Sequence, residues 1–480
     1  MASFHPAMSW TKILLIAAVI FATGVSSAQT GGGDPPLWSA LYRGGGPDGY
    51  LDAAQLADGS WVLGGWISGP YTRITRVVAD GQVVWDKTLG IGTPLLPEQI
   101  RQIEATPDGG FAMTMDFGFY YPLGLVETDG VFAKFDSGGN LLWLRRIGTV
   151  GIDDNWHFTQ TIDNGYCVAG VIDSADMVVL KFDSEGQLLW QTGIGGGPSN
   201  INLTVTGVGK TDGGGCIAVG SASVQGSGNI DGFAASLDGD GAVNWQRTYG
   251  GPGDFAYDHF LGLDASADGG VVVVGSTATF GDWGTNLWLL ELTASGDIQW
   301  QAAVTPPAHG DDWGWAVSKL ADGYLVAGNT QIGLQRFPWI FRLANAGTMV
   351  WEWVVGDHLD VLYGISVGQD GTFLAIGFKD FGGRDPAWAM QAFTSTGLVD
   401  DTCAAVTASS VVDTTGDGIV VTDTTLPVGA GGVAVIEESN PGIGTVDSWR
   451  TLECSNGVTI GVFFDGFESG DATAWDVSVP

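Results

Sequence analysis

Apolar residues along this chain come in short bursts that end at glycine, and no burst carries the stripe of a long amphipathic helix. Val271 to Val274 closes on Gly275. About a dozen residues later Leu287 to Leu292 follows, then the turn Ala294-Ser295-Gly296-Asp297 and the segment Ile298-Gln299-Trp300. Bursts of this length between glycine turns read as strands. The whole block is opened by Asp268-Gly269-Gly270, and it recurs. Asp163-Asn164-Gly165 leads to Met177–Phe182, to Asp183-Ser184-Glu185-Gly186 and to Trp190. Further copies start at Asp58, Asp108, Asp212, Asp322 and Asp370. Each copy predicts four strands. One precedes the Asp-Gly turn (Trp315–Leu320), one follows it (Tyr324–Gly328), a third is the apolar run (Trp339–Leu343), and the fourth carries the Trp (Met349–Val354).

The recurring tryptophan measures the repeat. Trp38, Trp85, Trp143, Trp190, Trp245, Trp300 and Trp351 are spaced by 47, 58, 47, 55, 55 and 51 residues. Four strands at such a period indicate propeller blades. The seventh unit runs from Asp370 to about Val399 and has no Trp strand of its own. Its counterpart stands at the other end of the chain, where Leu37-Trp38-Ser39-Ala40-Leu41-Tyr42-Arg43-Gly44-Gly45 matches Asn244-Trp245-Gln246-Arg247-Thr248-Tyr249-Gly250-Gly251. The expected fold is therefore all-β: a seven-bladed β-propeller of four-stranded blades, closed by an N-terminal strand, with a small C-terminal β segment. Asp-Gly and Asn-Gly supply the positive φ of the tight turns. The Trp is expected at a blade-to-blade contact. The glycine that ends the second strand is expected to let neighbouring blades approach closely.

Gly250-Gly251-Pro252-Gly253-Asp254, Asp268-Gly269-Gly270 and the Trp strand together resemble a bacterial exported β-propeller repeat, the SBBP type. Gly310-Asp311-Asp312-Trp313-Gly314-Trp315-Ala316-Val317 is similar to the opening strand of that repeat. The resemblance covers about residues 36 to 400. It implies the propeller and export, and it implies no particular activity. The Trp strand also looks like that of quinoprotein propellers, but no vicinal cysteine pair is present.

Composition narrows the function classes. The 77 glycines and 18 prolines oppose helices. Acids outnumber bases by 53 to 18, a formal charge of −35. Nucleic acid and anionic membrane surfaces, which need clustered Lys and Arg, are thereby excluded as partners. Residues 1–28 read as a signal peptide: Lys12, then the apolar run Ile13–Ala22, then small residues at Ser26 and Ala28. A mature protein starting near Gln29 is expected, secreted or at the cell surface, with no later membrane span and no need of a second copy. The propeller is assigned to residues 29–403 and a β-rich segment to 404–462. The tail at 463–480, from Phe464-Asp465-Gly466-Phe467-Glu468 to Trp475, resembles tails of other exported bacterial proteins and suggests sorting or attachment. Whether the 404–462 segment folds alone or docks on the ring is open at this point.

Of the four cysteines, Cys403 and Cys454 bracket the C-terminal segment and are expected to pair. Cys167 and Cys216 stand on similar strands of adjacent repeats and are expected to be buried thiols. Asp413-Thr414-Thr415-Gly416-Asp417-Gly418 has part of a calcium-loop pattern, although Thr424 replaces the acid at its twelfth position.

Propellers bind at one end of the channel, so the loops entering the innermost strands carry the candidate ligand-binding residues: Asp154, Trp156, His157, Tyr257, Asp258, Asp312, Trp313, Trp315 and Tyr363. Asp153, Asp254, His259, Asp311, His358 and Asp360 stand in the same loops. Rings that can stack on a pyranose beside acids that accept its hydroxyls suit a glycan, and the same carboxylates could hold calcium. The competing role for these recurring acids is to shape turns within each blade. No Gly-x-Ser-x-Gly elbow, phosphate loop or His-Glu-x-x-His is present, and no catalytic residue or obligatory cofactor is assigned. Three functions remain: an exported non-enzymatic module that binds a glycan or protein, a structural component of the surface or matrix, and a polysaccharide hydrolase or lyase.

Overall fold

The computed structural model describes residues 38–395 except 44–47, 68–70, 91–98, 121–125, 150, 175, 196–200, 225–227, 252–256, 267, 280, 282–283, 306–309, 355–360 and 379–386. Beyond these it describes strands at 411–413, 420–423, 428–429, 435–437, 442–445 and 449–455. The expected signal peptide, the tail at 463–480 and most of the calcium-like loop lie outside the described residues.

Seven antiparallel sheets form the blades of a propeller. Blade I comprises β2 (Gly49–Gln55), β3 (Trp61–Ile67), β4 (Tyr71–Val77) and β5 (Val83–Gly90). Blade II comprises β6 (Gln99–Ala105), β7 (Phe111–Tyr120), β8 (Val126–Phe135) and β9 (Leu141–Gly148). Blade III comprises β10 (Asp154–Gln160), β11 (Tyr166–Ile172), β12 (Asp176–Phe182) and β13 (Leu188–Ile194). Blade IV comprises β14 (Ile201–Lys210), β15 (Cys216–Val224), β16 (Ile230–Leu237) and β17 (Val243–Gly250). Blade V comprises β18 (Asp258–Ala265), β19 (Val271–Thr277), β20 (Asn286–Leu292) and β21 (Ile298–Thr305). Blade VI comprises β22 (Trp313–Leu320), β23 (Gly323–Ile332), β24 (Gln335–Ala344) and β25 (Met349–Val354). Blade VII takes β26 (Val361–Val367), β27 (Thr372–Phe378) and β28 (Ala387–Phe393) from one end of the ring and β1 (Trp38–Arg43) from the other. Trp38 lies opposite Gln391 and Tyr42 opposite Ala387. The expected closure by the N-terminal strand is thus present.

The core lies between blades. Val179 and Ile194 of blade III pack with Val205, Ala218 and Phe233 of blade IV. Trp38 and Leu374 of blade VII pack with Tyr50 and Trp61 of blade I. The repeated Trp locks each blade to the next through the turn before that blade's outermost strand. Trp38 Nε1 donates to the Ala79 carbonyl at 2.9 Å, Trp190 to Gly239 at 2.8 Å, Trp245 to Ala294 at 2.9 Å and Trp351 to Thr394 at 3.1 Å. An amphipathic ring with one donor suits such a joint.

Two sequence expectations need correction. Cys167 and Cys216 are joined in a disulfide, with Cα atoms 6.0 Å apart. Cys216 occupies the position in β15 that Tyr166 holds in β11, and Cys167 comes one residue later. That offset turns the two side chains to opposite faces of their own sheets, hence toward each other across the blade junction. The expected Cys403–Cys454 pairing lies outside the described residues, since Cys403 is not among them. The second-strand glycine does not serve the neighbouring blade. A Cβ on Gly275 would lie 1.7 Å from the His259 carbonyl oxygen in the inner strand of the same blade. Gly65, Gly220, Gly328 and Gly377 meet their own inner strands in the same way.

The C-terminal strands join the blades instead of forming a separate sheet. β29 (Val411–Asp413) pairs with β21, β30 (Val420–Asp423) with β17, β31 (Val428–Gly429) with β13, β32 (Val435–Glu437) with β9, β33 (Gly442–Thr445) with β5, and β34 (Trp449–Ser455) with β1. Each lies antiparallel on an outermost strand. The segment therefore runs around the rim against the order of the blades, from V back through I to VII. Among the described residues, blade VI has no such fifth strand.

Candidate functional site

The inner strands β2, β6, β10, β14, β18, β22 and β26 each pair on one edge only; the other edge faces a central cavity of about 690 Å³. Unpaired backbone N–H groups along such an edge need acceptors. Side chains from the preceding blade supply them. Asp52 accepts from Ile103 N at 2.7 Å, Gln102 from Phe158 N at 3.2 Å, Glu104 from Gln160 N at 2.9 Å and Asp264 from Lys319 N at 2.8 Å. Thr206 Oγ1 donates to the Phe260 carbonyl at 2.9 Å. These polar residues staple successive inner strands together.

Six of the inner strands carry a bulge at the same level. The register skips Leu51, Arg101, Thr206, Leu261, Trp315 and Tyr363, and in β10 it shifts between Asp154 and His157. All six skipped residues line the cavity. A bulge re-aims a side chain and bends the strand. The close-packed glycine opposite, Gly275 in blade V, makes room for that bend.

Of the nine candidate residues, the structure brings His157, Trp315 and Tyr363 together on the cavity wall. Trp315 and Tyr363 are 36% and 37% exposed. Asn329 accepts from Trp315 Nε1 at 2.8 Å once its amide is oriented to do so. Tyr363 packs edge-on against Trp66. Burial and the nearby Arg101 cation hold His157 down to about 3, so its imidazole is neutral. Asp154 is half-buried, and burial raises its carboxyl above the usual range while Arg101 opposes that shift. Arg101 Nε donates to Asp116 at 2.6 Å, and the same carboxylate accepts from Asn155 N and Trp156 N.

The remaining candidates sit elsewhere. Trp156 is fully buried, its ring against Gly130 and Gly170. Asp258 is fully buried and shapes its loop, accepting from Gly251 N, Thr277 Oγ1 and Thr279 Oγ1 at 2.9, 2.6 and 2.9 Å. Asp312 is also fully buried, near Gln331 N at 3.3 Å. Asp153 does the same work in its own loop, accepting from Thr149 and Asp173. Trp313 lies under the Arg336 guanidinium at 4.1 Å, and Tyr257 is exposed beside His259. Asp254, His358 and Asp360 lie outside the described residues. Among the described residues, no group of three His, Cys, Asp or Glu is placed to hold a metal.

Sequence reasoning looked to the loops and missed Arg101, Lys210 and the staple acids. Asp52 and Gln102 carry a signal, a polar residue at an inner-strand position where blades IV, V and VII have Gly207, Gly262 and Gly364.

No family model matches the chain, and no curated protein matches it. Solved structures do overlap. The polysaccharide lyase Uly1 shares 11% identity over 70% of this chain and 88% of its own, with a TM-score of 0.45. A protein of unknown function from Bacteroides caccae shares 12% over 66% and 93%, at 0.34. Another from Dyadobacter fermentans shares 10% over 74% and 97%, at 0.37. The likeness is one of fold, and none of these overlaps bears on activity. Among the described residues no helix is long and apolar enough to cross a membrane.

Proposed function

We propose that this chain is an exported, SBBP-type propeller whose central channel binds a glycan without acting on it chemically. The observation that carries the reading is the ring of bulges, which aims Trp315, Tyr363 and Arg101 into one cavity of about 690 Å³. That volume is within the range of small-ligand sites. Two partly exposed rings give faces on which a sugar can stack, and Thr206, Ser318 and Ser366 offer hydroxyls. A glycan array on the full chain, with and without calcium, tests it. Saturable binding is expected, lost in the Trp315→Ala/Tyr363→Ala double variant and retained by a Tyr257→Ala control. Binding that survives the double variant, or none in any condition, refutes the reading. Release of products from any polysaccharide would make the chain an enzyme instead.

A further inference from the structure

We infer that the channel ligand is an acidic oligosaccharide, bearing carboxylate or sulfate groups, rather than a neutral one. The inference rests on the reading of the channel as a glycan site and adds the ligand's charge.

Only 18 of the 480 residues are Lys or Arg. Three of the seven inner strands nevertheless present one to this cavity: Arg101 on β6, Lys210 on β14 and Lys319 on β22. The acids on the same walls are Asp52 on β2, Glu104 on β6 and Asp264 on β18. All three are already engaged by backbone. Asp52 takes Ala53 N as well as Ile103 N, Asp264 takes Ala265 N as well as Lys319 N, and Glu104 takes Gln160 N and the Gln102 amide. Burial, the leading cause in each case, also pushes Asp52 and Glu104 up to about 7 and raises Asp264. These acids therefore turn their oxygens to neighbouring N–H groups, and burial reduces the negative charge they hold at neutral pH.

The cations differ in how far they are engaged. Lys319 is taken by Glu291 at 3.3 Å, by Asn345 at 3.0 Å and by the Tyr324 ring at 4.0 Å. Arg101 has one nitrogen on Asp116, and its side chain remains 30% exposed. Lys210 is exposed, and its charge reaches Glu104 and Asp264 across the cavity, lowering both carboxyls against the effect of burial. Thr206, at the level of Trp315 and Tyr363, lies four residues before Lys210 along β14, or about 13 Å at 3.3 Å per residue. A ligand that touches both levels is longer than one sugar ring. Walls of low dielectric strengthen the attraction between such a cation and a ligand anion.

The test titrates the full chain with uronate, sulfated and neutral oligosaccharides, and repeats the series with Lys210→Gln and Lys210→Arg. Thermal melts check that each variant is folded. The expected result is tighter binding of an acidic series, weakening as salt is raised. Lys210→Gln should lose about tenfold, the size of one charged hydrogen bond, and Lys210→Arg should keep affinity. The uronate and sulfated arms identify which anion is preferred. Equal binding of neutral oligosaccharides overturns the inference and leaves the glycan reading intact. Acidic binding indifferent to Lys210 overturns the channel placement. Failure of every series to bind overturns both.

Discussion

Arg73 bears on the joint where the ring closes. Its side chain is fully buried; Nε and Nη2 donate to Asp86, and Nη1 lies 3.5 Å from both Asp48 and the Tyr42 carbonyl of β1. Arg73→Met would strand two buried carboxylates. A loss of about 3–5 kcal/mol in urea unfolding is expected, partly recovered when Asp86→Leu is added. An equal loss in the double variant would mean that packing, not charge, is at stake. Residues on the channel wall control a second property, the pH dependence of stability. Asp52 and Glu104 rise to about 7 from ordinary values of 3.8 and 4.5. Because they ionise more readily unfolded, their contribution is complete below about pH 4 and is lost as the pH rises to about 7. His157 has the opposite sign: its value falls from 6.5 to about 3, so its contribution is present above 6.5 and is lost on acidification. Urea midpoints measured from pH 4 to 8 should show a smaller decline toward pH 8 in Asp52→Asn than in the parent. An unchanged slope would remove Asp52 from the account.

At the scale of elements, bulge and glycine act as one device. Gly328→Ala would drive a methyl group into the inner-strand carbonyl of Trp313, beside the Trp315 bulge, and about 1–3 kcal/mol of stability should go with it. The inner strand would straighten, so quenching of Trp315 fluorescence by added iodide is the companion readout. An Ala variant as stable as the parent would show that the bulge tolerates a side chain. The disulfide ties blades III and IV across 49 residues. Loop entropy predicts that Cys167→Ser/Cys216→Ser loses about 4 kcal/mol, read from the shift in the denaturation midpoint. Blade strands were legible in the chain because Asp-Gly turns, apolar runs and the Trp recur in the same order, and these are local properties. The acids of the loops were equally visible, but their purpose was not. Asp258 reads as a ligand group in sequence and proves to be a buried brace for Gly251 and Thr279. Channel residues such as Arg101 and Lys210 were hidden because nothing local marks the edge of a strand that will face an axis. The cysteine pairing was hidden for a related reason: a one-residue offset matters only once two sheets are face to face.

At the scale of the molecule, the rim strands deal with a hazard common to propellers. Each blade ends in an outermost strand with an unpaired edge, a template for other chains. Six of those edges are covered by β29 to β34. Removing the residues after 404 should uncover them, and light scattering should then show concentration-dependent self-association. A truncated chain that stays monomeric and equally stable would mean the rim strands contribute nothing. These short strands were also the hardest to foresee, since a two-residue pairing such as β31 on β13 leaves no pattern of its own. Their placement has a consequence in time. β1, the earliest described strand to be made, lies between β28 and β34 in one sheet. Trp388 donates to Ser39 across 349 residues of sequence. Contacts so distant along the chain are slow to form. Until β28 is made, β1 has neither sheet neighbour, and the second, β34, arrives only with the final described residues. The ring thus closes only once β28 of blade VII has been made, however early the other blades form.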